Sequence, residues 1–194
     1  MNSKHSAIVM SRGGWCRLSA KNLVVICCSL LGLISPAYPA KVEQGTIKSV
    51  RQFVQGFYDW YVPKALSSSP GPPWGAALQA RPSNFSTEIA SLLRKEMREQ
   101  AHTPGEISGL DFDPFLSTQD PDDRYNVGEI VKKGESYWVS VYGASTERSQ
   151  PPTLVAEVSH VDGRWQFTNF RYANGKDLVS LLKAIRHSTN SRSE

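Results

Sequence analysis

Beyond position 28 the chain has no cysteine, and nowhere does it carry the run of about 20 apolar residues that a membrane-spanning helix needs. Its three cysteines, Cys16, Cys27 and Cys28, all fall in the first forty of 194 residues, so the rest can form neither a disulfide nor a thiolate metal site. Acidic residues are missing from those first forty, and the remaining 154 lack an excess of either sign. Four of the 22 basic residues, Lys4, Arg12, Arg17 and Lys21, precede position 41, leaving eighteen to face eighteen acidic ones. A near-neutral domain gives no reason to expect nucleic acid or an anionic membrane as a partner, whatever the whole-chain pI suggests. Also lacking are a glycine-rich phosphate loop, a Ser-His-Asp spacing and a histidine pair at metal-ligand distance, so no cofactor and no metal are expected.

What the first forty residues do hold is a basic stretch, an apolar run from Leu23 to Ile34 (LVVICCSLLGLI), and then SPAYPA. That order is a secretory signal, with cleavage expected after Ala37, which has Ser35 two residues before it, or after Ala40. Neither Cys27 nor Cys28 is preceded by the small residue of a lipoprotein signal, so no stable membrane anchor is expected after cleavage. Met10 is an alternative start that keeps Arg12, Arg17 and Lys21. The reading is a signal at 1–40, one domain at 41–187 and a disordered tail at 188–194, in a periplasmic or secreted protein. About 150 residues suffice for a single core.

From Thr46, as cap, the positions Ile47, Val50, Phe53, Val54, Phe57, Tyr58 and Tyr61 recur at helical steps, and Pro63 is expected to end that helix. Ser67–Gly75 (SSSPGPPWG) reads as a loop. A second helix starts at the N-cap Ser86, carries Glu88 in its first turn and runs to about Ala101. Ile107–Leu110 reads as a short strand entering an ordered loop. Four more strands are expected at Tyr125–Val131, Ser136–Tyr142, Thr153–His160 and Arg164–Tyr172, with Lys133-Gly134 and Asp162-Gly163 as hairpin turns. In the last strand Trp165, Phe167 and Asn169 alternate with Gln166, Thr168 and Phe170. Leu178, Leu181, Leu182 and Ile185 make a short final helix. The fold class expected is α+β, with N-terminal helices on one face of a curved antiparallel sheet of four to five strands and a concave apolar space between the layers.

The segments VRQFVQGFYDWYVP, GLDFDPFLSTQDP, YWVSVYG and GRWQFTNFRY resemble a family of bacterial exported proteins and lipoproteins known only as a domain of unknown function. The resemblance extends from about Ile47 to Leu182. It implies a cone of the cystatin-like, nuclear-transport-factor-2-like group, in which isomerases, dehydratases, cyclases, ligand binders and protein-binding modules all occur. It supplies no catalytic residues.

The densest chemical feature is the acidic stretch Asp111, Asp113, Asp120, Asp122 and Asp123. Its spacing misses the twelve-residue calcium loop, since position five from Asp111 is Phe115 and position twelve is Asp122. Asp113 and Asp120 each precede a proline, where a carboxylate caps a turn. An enzyme of this fold would need a carboxylate or histidine inside the cone, and Asp59, Asp113 and His160 are the candidates. Tyr58, Trp60, Trp74 and Trp138 are candidate contacts for a ligand or partner, because Trp and Tyr concentrate at binding hot spots. These residues admit three readings: a non-enzymatic module for an envelope protein or a small apolar ligand; an isomerase- or cyclase-type enzyme using a buried carboxylate; and an immunity-type inhibitor of an exported toxin.

Overall fold

The computed structural model describes residues 38–67, 71–102, 109–147 and 149–190, with side chains described only for 43–186 of these. The chain falls into two units, Met1–Pro36 and Ala37–Glu194, and the described residues all belong to the second. Helix α1 (Tyr38–Ala65) is followed by α2 (Pro73–Ala80), a short 3-10 turn (Pro82–Asn84) and α3 (Thr87–His102). Strands β1 (Tyr125–Lys133), β2 (Ser136–Gly143), β3 (Leu154–Val161) and β4 (Arg164–Tyr172) form one antiparallel sheet in the order β1-β2-β3-β4, and α4 (Leu178–Asn190) closes the fold. The α+β class is therefore as the pattern implied.

Several boundaries differ from expectation for local reasons. Helix α1 starts eight residues before Thr46, because the intervening Lys41, Val42, Glu43 and Gln44 suit a helix and nothing there stops it. Pro63 lies inside the last turn, exposed, where one missing backbone donor does little harm; Leu66 N still reaches Val62 O at 3.0 Å. The proline-rich loop is in part a helix. Pro72 and Pro73 occupy the start of α2, where a fixed φ is already helical, and Trp74, Ala77 and Leu78 then bury one face. Ser86 does cap α3, accepting Ile89 N on Oγ at 3.3 Å. Residues 107–108 of the expected extra strand lie outside the described residues, and Gly109-Leu110 is not extended into the sheet. Helix α4 runs to Asn190, three residues into the stretch read as a tail.

Simple alternation fails in β4. A bulge opposite Glu157/Val158 shifts the register, so Phe167, Phe170 and Tyr172 all face the helices, whereas strict alternation puts Phe170 on the other side from Phe167. A second bulge, between Val127 and Ile130, bends β1. The first hairpin turns on Gly134-Glu135, one residue later than expected, with Gly134 at φ +59; the other turns on Asp162-Gly163, both at positive φ, as a primed turn requires.

The layers meet in an aromatic core. Phe57 of α1 touches Phe167, Phe85 and Phe115 at ring separations of 4.9, 5.7 and 5.7 Å, and Phe115 and Phe167 each reach Phe170. All four of Phe57, Phe115, Phe167 and Phe170 are fully buried. The concave apolar space expected between sheet and helices is thus occupied by the protein's own side chains. Curvature brings the layers together, and six-membered rings at these positions fill the gap.

Candidate functional site

The most constrained feature outside the regular elements is the loop Asp113–Thr118. Asp113 precedes Pro114 and forms the expected turn: its Oδ1 accepts Phe115 N at 2.9 Å, and its carbonyl accepts Ser117 N at 2.8 Å. Asp113 N closes the loop on Thr118 O, and Ser117 sits at φ +59. Tyrosine hydroxyls from three elements then hold the loop from inside. Tyr172 donates to Pro114 O at 3.1 Å, Tyr58 to Phe115 O at 3.0 Å and, more weakly, Tyr125 to Leu116 O at 3.5 Å. Tyr61 donates to the Asp113 carboxylate itself.

Burial pushes the Asp113 carboxyl up to about 6, against the pull of the Tyr61 hydroxyl and the Phe115 and Leu116 amides, which favour its charged form. Burial likewise raises Tyr58, Tyr61 and Tyr172 far above the ordinary phenol range and Tyr125 to about 12, so all four remain donors at any physiological pH. A carboxyl near 6 has the value a general acid or base needs. Its surroundings are those of a structural group: the Tyr61 hydroxyl and the loop amides engage its oxygens.

Beside this loop lies a groove of about 370 Å³ between the start of α2, the end of α3 and the stretch from Leu110 to Pro121. Trp74, Gln100, Asp111, Phe112, Asp113 and Gln119 are among its lining residues. Leu110 is pinned at its rim, donating to Glu96 Oε1 at 2.9 Å and accepting Gln100 Nε2 at 3.1 Å. A larger open depression of about 750 Å³ lies at the hairpin tips, where Trp165 donates to Ser49 Oγ at 2.8 Å and stands edge-on to Tyr137 and to His160.

No protein-family model matches the chain, and no curated protein does. Solved structures similar to this chain include two of the type VI effector–immunity complex Tae3–Tai3 from Ralstonia pickettii. In one the TM-score is 0.46 at 22% identity, over 64% of this chain and 97% of that chain. In the native form of the complex it is 0.47 at 21% identity, over 64% and 95%.

The residues singled out from sequence divide sharply. Tyr58 and Trp74, expected at a binding surface, are 1% and 2% exposed: the helical period that places Tyr58 on the apolar stripe, and the unrecognised α2 beneath Trp74, put both in the core. Trp60 and Trp138 do reach the surface, each half-buried under cations. Arg81 lies over Trp60 at 4.2 Å with Lys64 at 5.2 Å, and Arg171 over Trp138 at 4.3 Å with Lys133 at 5.7 Å. Asp59 is exposed on α1 and accepts Gln55 Nε2 at 2.8 Å, so it does not enter the interior. His160 is exposed at the end of β3, outside the packed core. The five aspartates do not converge: Asp111, Asp120 and Asp123 are exposed, and Asp122 accepts Ser145 Oγ at 2.9 Å against Gly143, where a Cβ would meet it at 2.0 Å. Among the described residues no group of three or more potential ligands is placed to hold a metal ion. Sequence reasoning missed Tyr61, Tyr125 and Tyr172 as the pins of the loop. Their signal was available, since a tyrosine on an apolar stripe must find a partner for its hydroxyl.

Proposed function

We propose that this chain is an exported, non-catalytic module that binds another envelope protein, and more specifically that it inhibits an exported effector by occupying it. The observation that carries the reading is the packed interior. Phe57, Phe85, Phe115, Phe167 and Phe170 occupy the volume in which a cone-shaped enzyme or carrier would hold its small molecule. Neither Asp59 nor His160 faces that volume, and Asp113 is engaged by its own loop. What the surface offers instead are features of protein interfaces: tryptophans stacked with arginines, and a loop rigid before any partner arrives. A preorganised loop loses little entropy on docking, which favours tight inhibition. Within the same proposal the protein is released by cleavage after Ala37 or Ala40 and belongs to the cone-shaped fold group its motifs resemble.

The test is capture of partners from an envelope extract of the producing cells on the immobilised protein, followed by reconstitution from purified components and native mass spectrometry. A stoichiometric heterocomplex in which a captured enzyme loses its activity supports the reading. A bound small molecule released on denaturation, with no stoichiometric protein, overturns it.

A further inference from the structure

The groove beside the Asp113–Thr118 loop has a chemistry that selects its occupant. Its acidic lining residues are Asp111 and Asp113, and among the described residues no basic one lines it. Asp111 is exposed and, among the described residues, its carboxylate has neither an ion pair nor a hydrogen bond. Gln100 engages its Nε2 with Leu110 O and Glu96 Oε1, which leaves its own amide oxygen as an acceptor. Its other lining residues include Trp74 and Phe112, the prolines Pro72, Pro73 and Pro121, and the polar Thr118 and Gln119. Such a lining suits a planar cation, which carries several donors in one plane, pairs bidentately with a carboxylate and lies flat on an aromatic ring. A compact ammonium uses that arrangement less fully. Elsewhere the same preference is visible on this molecule, where each arginine lies closer over its tryptophan than the lysine beside it.

A second feature of the groove calls for the opposite chemistry. Trp74 is 2% exposed, yet its indole N–H has no hydrogen-bond partner among the described residues and is not sealed from solvent. A nearly buried donor without a partner, on a residue that lines a groove, is one an incoming acceptor can satisfy, and a buried indole N–H ordinarily has a partner. One occupant that offers both a guanidinium and carbonyl oxygens is an arginine residue within a polypeptide.

We infer that the groove formed by Trp74, Gln100, Asp111 and Phe112 is the recognition pocket for an arginine side chain presented by the protein partner, with Asp113 and Thr118, the two ends of the tyrosine-held loop, at its side. This deepens the proposed function and rests on it for the source of the arginine. Asp111 makes the direct contact, the charge of Asp113 adds to it, and the half-buried Phe112 ring takes the face of the guanidinium.

The probe is Nα-acetyl-arginine methylamide, titrated into the isotope-labelled protein while the indole N–H resonance of Trp74 is followed; the citrulline analogue, of the same shape without the charge, is the control. The expected result is a saturable shift of the Trp74 resonance with the arginine compound, weakened about tenfold or more for citrulline and in Asp111→Asn, a substitution at an exposed site that leaves the fold intact. The arginine response also weakens with added salt. An equal response to citrulline, a response unchanged in Asp111→Asn, or no saturable shift overturns the inference. Failure of this titration with a stoichiometric partner complex in hand removes the arginine pocket and leaves the binding reading standing. A positive titration with no protein partner captured keeps the pocket and removes that reading.

Discussion

At the scale of single residues, Asp113 is where sequence and environment pull hardest against each other. Its carboxyl titrates near 6 in the folded protein against an ordinary value of 3.8, because burial outweighs the donors around it. The folded state therefore holds the proton more tightly than the unfolded chain. The associated stability is fully present below about pH 4 and is lost as pH rises through about 6, amounting to roughly 3 kcal/mol at neutral pH. Asp113→Asn keeps an oxygen for the Phe115 amide and removes the charge. Thermal melts are expected to show the variant more stable than the parent at pH 7.5 by about 1–3 kcal/mol and equal to it near pH 4; a variant less stable than the parent at pH 7.5 would refute this account. Tyr61→Phe works in the other direction. It removes the hydroxyl that favours the carboxylate, so the Asp113 titration followed by carboxyl-carbon NMR should move upward from about 6.

At the scale of elements, helix side chains take the place of missing strands. Gln55 on α1 donates to Tyr125 O at 3.0 Å and accepts Val127 N at 2.9 Å, pairing with the edge of β1 as a neighbouring strand would. Arg51 caps Val127 O and Gly128 O, both at 2.8 Å. The edge of β1 is thus covered up to its bulge. Replacing Gln55 by alanine opens two backbone groups and is expected to cost about 1–3 kcal/mol. Hydrogen exchange should report it first at the Val127 amide, and protection there equal to the parent's would contradict the assignment. A parallel device operates at Leu110, whose backbone is held by Glu96 and Gln100 of α3. Gly109 makes that approach possible: it has φ +98, and a Cβ on it would sit 1.9 Å from Glu96 Oε1. Gly109→Ala should therefore destabilise by more than the conformational term of about 1 kcal/mol, as measured by denaturant titration.

For the molecule as a whole, the aromatic core decides stability, and the proposed function rests on it. Phe57 is fully buried and contacts rings from α1, the loop after α2, the Asp113 loop and β4. Truncation to alanine is expected to cost about 3–5 kcal/mol, a large share of the roughly 5–15 kcal/mol typical of a domain. A cone built to hold a ligand would tolerate that change better, because an enlarged cavity would simply admit more solvent or ligand. A clearly lowered melting temperature in Phe57→Ala, read by near-ultraviolet circular dichroism, is the expected outcome. An unchanged melt would mean that the interior is not tightly packed around Phe57.

Much of this architecture could be read directly from the chain. Helical steps marked the buried stripe from Val50 to Tyr61, Ser86 announced its helix, and Asp-Gly and Lys-Gly placed the hairpins to within a residue, because these features depend on neighbours a few positions apart. Local pattern also identified Asp113 before Pro114 as a turn. Three matters required the folded chain. The bulge in β4 brings Phe167 and Phe170 to one face, and a bulge is set by pairing with β3, which no residue of β4 encodes alone. Whether the concave face is open or filled depends on how far curvature carries Phe85 and Phe115 toward Phe57, from segments tens of residues apart. The tyrosine clamp on the Asp113 loop and the groove beside it arise from α1, β1, β4 and the loop meeting in space. Sequence alone determined which residues are apolar and where the chain turns; only tertiary contact decided which polar atoms find partners, because burial and hydrogen bonding belong to the assembled structure.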